Sequence, residues 1–211
     1  MLAIAVGLAP VVVFGAAVVW HDLTTRLEVL DLTDQSPTSK RHARSRGVIE
    51  AVVLHQTGFS RGLDPSRYLK VTAHFVVLED GHVLQLHPLA AKLWASDSFN
   101  NRSVAVEFVG NFKSAAGKWW KPEKYGMHEP TPAQIDAGRK LLMMLRRNGI
   151  KYVYAHRQSS GDRGNDPGPE IWQSVGEWGI RRLGLSDGGP GYIEGSGAPI
   201  PSTWREPAKP A

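Results

Sequence analysis

Val48-Ile49-Glu50-Ala51-Val52-Val53-Leu54 (VIEAVVL), followed at once by His55, is the stretch on which the fold turns. Its residues are mostly β-branched, with no regular polar face, and this predicts a strand buried inside a sheet. His55 then falls at the strand's carboxyl end. About a hundred residues later Ile150 to Ala155 reads as a second such strand, and it delivers His156 in the same way. Between the two, Ala73–Leu78, the turn Glu79-Asp80-Gly81 and His82–His87 predict a hairpin closed by Asp-Gly, expected to pair beside the first strand. Ser103 to Val109 (SVAVEFV) alternates as an interior strand that ends at Gly110-Asn111, with Glu107 pointing to one face.

Helical periodicity begins at Thr131-Pro132-Ala133-Gln134. Thr131 is the expected cap, Pro132 suits the first turn, and Gln134 stands where a capping box puts its partner. The helix is expected to run to Asn148, with Gly149 closing it and Ile135, Leu141, Leu142, Met144 and Leu145 forming the stripe that packs on the sheet. A second helix is predicted from Pro169 to Leu183, with Ile171, Val175 and Trp178 inward and Gly184 as its stop. Strands and helices alternate late in the chain, which gives an α/β layer architecture. From Ser186 onward the chain is rich in Gly and Pro without periodicity, and it reads as a mobile tail over 186–211.

At 211 residues the chain suits one domain with a proper core, here 26–185. Its 25 Lys and Arg against 20 Asp and Glu give a formal charge of +5, which favours an anionic partner such as nucleic acid, acidic lipid or cell wall. No basic stripe interleaved with aromatics and no nucleic-acid motif is present, so a nucleic-acid partner is not expected. Residues 1–25 open with an uncharged apolar run, Met1 to Trp20, long enough to span a hydrocarbon core. No Lys or Arg precedes that run, which weakens a cleaved signal and favours a membrane anchor or uncleaved signal. Lys40, Arg41, Arg44 and Arg46 lie beyond it.

Cysteine is absent, so any zinc must be held by His and by Asp or Glu. Two imidazoles, His55 and His156, and the carboxylate of Asp166 in Asn165-Asp166-Pro167-Gly168-Pro169 each stand just past an ordered element and form a candidate set. Three protein ligands leave a fourth position open, which separates a catalytic zinc from a structural one. Pro167 restricts Asp166 to an extended backbone, and Pro169 opens the next helix, so the aspartate is held before a metal arrives.

Four segments in order then resemble the zinc-dependent N-acetylmuramoyl-L-alanine amidases, relatives of the phage lysozyme-amidases and the peptidoglycan recognition proteins. They are Val53-Leu54-His55-Gln56-Thr57-Gly58, Ala73-His74-Phe75-Val76-Val77 with Asp80-Gly81, Ser103-Val104-Ala105-Val106-Glu107-Phe108-Val109-Gly110, and Ala155-His156-Arg157 through Asp166-Pro167-Gly168-Pro169. The resemblance implies the amidase type 2 (peptidoglycan-recognition) fold, a mixed central β-sheet flanked by helices with zinc in a groove at one edge. It implies His55, His156 and Asp166 as zinc ligands and Glu107 as the catalytic glutamate, exchanging a proton between water and the leaving amine. The implied substrate is the amide between N-acetylmuramic acid and L-alanine in peptidoglycan or a muropeptide. Zinc in such a site lowers the pKa of bound water towards ~7 and polarises the amide carbonyl.

Two departures bear on chemistry. Many of these amidases carry a lysine two residues before the aspartate ligand, where this chain has Gly164; the adjacent Arg163 is the candidate replacement, ahead of Arg157 and Arg102. Another branch carries a tyrosine just before the histidine that matches His74, and here it is Ala73. His74 and Trp94 are expected to line the substrate groove. The expectation is a monomeric amidase of the cell envelope, periplasmic, membrane-anchored through residues 1–20 or secreted. A peptidoglycan-binding module of the same fold without turnover is the alternative.

Overall fold

In the computed structural model, which describes residues 27–113 and 120–205, the run after Ile49 forms the interior of a six-stranded mixed sheet. Its strands are β1 (Val29–Asp31), β2 (Ala51–Gln56), β3 (Phe75–Val77), β4 (Val83–Gln85), β5 (Ser103–Phe108) and β6 (Tyr152–Ala155), in the order β1-β4-β3-β5-β2-β6. Among these strands only the β3–β4 pair is antiparallel. β2 starts three residues later than the sequence suggests: Val48 ends a short 3-10 turn and is half exposed, while His55 lies within the strand. The hairpin forms across Asp80-Gly81, but β5 separates it from β2, and its other edge is extended by β1, a three-residue strand that the sequence reading does not name.

Alternation along the strands sorts the two faces. Val52, Leu54, Val104, Val106, Phe108, Val153 and Ala155 pack with the long helix on one side. Ala51, Val53 and Tyr154 face the other side, where Phe99 stacks on Tyr154 with ring centroids 4.4 Å apart. His55 shares the parity of Ala51 and Val53, and Glu107 is its partner in the β2–β5 register, so both project from this second face. The layer that fills the first face therefore sets where the site residues emerge on the second.

Of the helices α1 (Pro122–Tyr125), α2 (Pro132–Arg147), α3 (Pro169–Ile171), α4 (Glu177–Leu183) and α5 (Ser202–Arg205), α2 supplies most of the covering layer. Thr131 caps it by accepting the Gln134 N–H at 3.0 Å. Gln134 does not complete a capping box. Its side chain is fully buried and donates to the carbonyls of Val77 and Val109, both at 3.0 Å, so it pins the helix start to the ends of β3 and β5. Ala137, Leu141, Leu142 and Leu145 are buried, with Ile135 and Met144 at the margin. Gly138 lets the helix sit on Phe108: a Cβ there would lie 2.6 Å from the ring. Truncating Phe108 to Ala would cost about 3–5 kcal/mol.

The second predicted helix is interrupted. A π turn, Trp172–Gly176, joins α3 to α4, and it lets the Trp172 ring lie against Gly176 and its Nε1 donate to Glu177. Of the two tryptophans in this segment Trp172 is the buried one, and Trp178 is half-buried beneath the Arg139 guanidinium. Gly184 ends α4 at φ 64°, in the left-handed region that glycine tolerates.

The Gly/Pro-rich segment is part of the fold as far as Arg205. Ser186 bonds with Lys151 and Val153 alongside β6, Glu194 N–H donates to Gln158 O at 2.8 Å, and Ala198 N–H to Arg157 O at 2.7 Å. Ile200 and Trp204 are buried, and Arg205 pairs with Glu177 and Asp187. The segment holds by irregular backbone pairing, which leaves no periodicity in sequence. The expected mobile tail is corrected to that extent, since 206–211 lie outside the described residues. The apolar run 1–20 lies outside them as well, and among the described residues no helix is long and apolar enough to cross a membrane.

Candidate metal centre

β2 presents His55 near its end, β6 hands over to His156 at its first following residue, and the loop before α3 brings Asp166 between them. One ligating atom from each lies within 4.8 Å of the others, and all three residues are buried. His55 Nδ1 is 3.0 Å from His156 Nδ1, and Asp166 Oδ2 is 3.0 Å from His156 Nδ1 and 3.6 Å from His55 Nδ1.

The outward atoms of this trio are all occupied. His55 Nε2 lies 3.0 Å from Ser96 Oγ, and His156 Nε2 lies 2.8 Å from Asp97 Oδ2. Asp166 Oδ1 accepts the Gln56 N–H at 2.8 Å. Gln56 also fixes the aspartate's loop through its side chain, donating to Pro167 O at 3.0 Å and accepting from Phe112 N–H at 2.9 Å. What remains is Nδ1, Nδ1 and Oδ2, turned towards one point. Two imidazole nitrogens and one carboxylate oxygen with their outer atoms held by hydrogen bonds fit the donor set of a zinc ion.

Electrostatics agree with this arrangement. Burial, reinforced by the charge of His156, pushes His55 down to about 4, so it is neutral. Burial also works against a proton on His156, but Asp166 and Asp97 outweigh it and hold the group up to about 9. Asp166 is held well below the usual carboxylate range, because its hydrogen bond to His156 and the closeness of His55 overcome the effect of burial. The 3.6 Å approach of His55 to Asp166 is therefore proximity, and the ion pair is His156 with Asp166. A single proton on His156 Nδ1 sits where a cation would sit.

Glu107 stands next to this cluster on β5. It is half-buried as a residue, yet its Oε2 is buried with no hydrogen-bond partner. Burial, with the nearby Asp166 charge, pushes its carboxyl up to about 8. It opens on a cleft of about 340 Å³ whose other walls are Thr57, Phe59, Arg61, Lys70, Val71 and Thr72. Arg163 lies in the turn Gly161–Arg163, and its charge acts on His55, Asp97 and Glu107 alike. Arg157 is turned away, bonding Gly164 O and Pro199 O and covering Trp204, and Arg102 is engaged by Glu50, Glu194 and Tyr192.

Residues 44–169, more than half of the chain, match the family model described as N-acetylmuramoyl-L-alanine amidase. The chain belongs to this amidase family. Solved structures agree on the fold. The amidase LysC from Clostridium intestinale URNW superposes with a TM-score of 0.55 at 16% identity, covering 76% of this chain and all of that one (100%). The Drosophila peptidoglycan recognition protein PGRP-SA gives 0.53 at 18% identity over 72% of this chain and 92% of its own. Peptidoglycan recognition protein-LE in complex with tracheal cytotoxin gives 0.54 at 15% identity over 71% and 93%. Among curated protein sequences no significant match is found.

Within this amidase fold the structure brings together His55, His156, Asp166, Glu107 and Arg163, but not His74. The His74 ring is 1% exposed; its Nδ1 accepts the Ala105 N–H at 2.9 Å and its Nε2 lies 2.9 Å from Ala91 O. Burial pushes it down to about 3, so it is a neutral brace between β5 and the 91 loop, away from the cleft where the sequence reading set it. Trp94 lies two residues before Ser96; its ring is 64% exposed, with the Lys92 ammonium 4.4 Å above it. Ser96, Asp97 and the loop-fixing role of Gln56 had no sequence signal, because their partners stand 41 to 111 residues away.

Proposed function

We propose that this chain is a zinc-dependent N-acetylmuramoyl-L-alanine amidase, hydrolysing the amide between N-acetylmuramic acid and L-alanine in peptidoglycan or a muropeptide. The observation that carries the reading is a converging His55, His156 and Asp166 trio beside a buried carboxyl, Glu107, that has no partner on one oxygen. An orphaned polar atom at a cleft is costly to keep and is explained by a reacting group that meets it there.

The roles follow from chemistry. His55, His156 and Asp166 would hold zinc, which supplies an activated water and polarises the scissile carbonyl when bound. Glu107, with a pKa near the working pH, accepts a proton from water at its exposed edge and returns it to the departing amine nitrogen. Arg163 brings positive charge towards the developing oxyanion in place of the lysine missing at Gly164. Its planar fork approaches from a different direction than an ammonium would. Arg61 and Lys70 give the cleft a cationic wall, which suits a stem peptide bearing free carboxylates. Trp94 offers an exposed face for a sugar or peptide to stack on. Such an enzyme acts where wall or its fragments are found, in the cell envelope.

Gly164 favours one second reading, a muropeptide-binding module of the same fold without turnover. Incubating the chain with a muropeptide and following free stem peptide, with and without a chelator, separates the two. Release that stops with chelator and returns with zinc supports the amidase. Binding without release supports the module, and release indifferent to chelator rules out the metal reading.

A further inference from the structure

Among the described residues Asp97 is the only non-glycine with a positive φ, 47°, and its backbone lies in the left-handed region. Asp and Asn enter that region more readily than other residues, yet glycine would occupy it with less strain. A residue held in such a conformation calls for a reason in its side chain. The reason here is its Oδ2, which lies 2.8 Å from His156 Nε2, while Ser160 donates a further hydrogen bond to the same carboxylate. A neighbouring residue does the matching work: Ser96 Oγ lies 3.0 Å from His55 Nε2. Two consecutive residues of one loop therefore hold the far nitrogens of both imidazoles. The loop itself is fixed, because Asn100 Oδ1 accepts the N–H groups of Ala95 and Ser96 at 2.9 and 2.7 Å, and Ser159 Oγ donates to Ser96 O at 2.9 Å.

We propose that Asp97 is a positioning residue for the metal centre: its carboxylate fixes the His156 ring so that Nδ1 faces the metal, at the expense of a strained backbone. The inference rests on the metal reading given under Proposed function and deepens it. A flip of the His156 ring about χ2 exchanges the sides on which its nitrogens lie, and the orientation that keeps Nε2 on Asp97 is the one that leaves Nδ1 beside Asp166 and His55. An acceptor on the outer nitrogen also fixes which nitrogen carries the proton when a metal occupies the inner one. His55 receives the same service from a neutral hydroxyl, so the anionic partner is confined to one of the two rings. The other charges facing Asp97 are His156 and Arg163.

The test is Asp97→Gly, which removes the carboxylate and relieves the backbone, with Asp97→Asn as the conservative partner that keeps an oxygen at the same place. Zinc affinity of the full chain is measured by competition with a chelating indicator, thermal midpoints are taken on the metal-free chain, and the visible spectrum is recorded with cobalt in place of zinc. Expected are a Kd for zinc raised about 10- to 100-fold in Asp97→Gly, a metal-free midpoint close to that of the wild type, because relief of the backbone offsets the lost pairing with His156, and an altered cobalt spectrum. Asp97→Asn should recover most of the affinity. A merely structural aspartate predicts the reverse pattern, a lower midpoint with unchanged Kd, and that result overturns the proposal. Wild-type affinity in Asp97→Gly overturns it too. A wild-type chain that binds no zinc overturns the metal reading itself, and this inference with it.

Discussion

Replacing Glu107 with glutamine should make the metal-free chain more stable while costing the zinc-loaded chain most of its activity. The carboxyl is pushed from an ordinary value of 4.5 to about 8, because burial and the nearby Asp166 charge disfavour its ionised form. A folded-state pKa above the unfolded one means that the folded chain binds the extra proton between those two values. Stability from this group is therefore fully present below pH 4.5 and drains away as pH rises towards 8. At about 1.4 kcal/mol per unit, the penalty at pH 7 is roughly 3 kcal/mol. A glutamine amide in the same place carries no such penalty and fills the same volume. Urea unfolding of chelator-treated wild type and Glu107→Gln should give midpoints that nearly coincide at about pH 4.5 and separate steadily up to about pH 8, the variant being the more stable. Muropeptide hydrolysis by the zinc-loaded variant should fall by about 10²–10⁴-fold, the contribution of a positioned acid–base group. A stability gap that does not change with pH, or activity within a few-fold of wild type, would refute the reasoning.

Zinc binding should strengthen by about tenfold per pH unit between about pH 6 and 8, because His156, held up to about 9 by Asp166 and Asp97, must release its proton to coordinate; indicator competition across that range measures the slope, and a flat profile contradicts it. Arg61→Ala and Lys70→Ala should each raise KM for a stem peptide with free carboxylates by up to about fivefold with kcat nearly unchanged, an effect that shrinks in high salt. Gly197→Ala places a Cβ 2.0 Å from Gln158 O, so the segment from Glu194 to Ala198 that bonds Gln158 and Arg157 must shift; a loss of about 1–3 kcal/mol in thermal or urea unfolding is expected, and an unchanged midpoint would show that this segment yields freely.

Much of this molecule was legible because its signals are local. The β-branched run after Ile49, the Asp-Gly hairpin, the Thr131-Pro132 helix start and the α/β alternation all follow from short-range rules, and they locate His55, Glu107, His156 and Asp166 at strand ends and loops. What escaped depends on tertiary pairing. Gln134 looked like a capping partner, but two carbonyls at the ends of β3 and β5 hold its side chain in place of its own helix terminus. His74 matched the family pattern and was expected in the groove, yet its ring is taken up by backbone groups of Ala105 and Ala91. The segment after Ser186 lacked any period, since it is held by single backbone bonds to the 157–158 turn and by Ile200 and Trp204. Asp97 gave no sign in sequence, because neither its φ nor its partner can be seen from its neighbours.

The most direct measurement is a titration of chelator-treated chain with zinc, repeated on His55→Ala, His156→Ala and Asp166→Ala. Convergence of three side chains on one ion predicts a single site per chain in the wild type and a large loss of affinity in each variant, with folding confirmed by circular dichroism. Wild type without a zinc site, or a site that survives all three substitutions, would contradict the account.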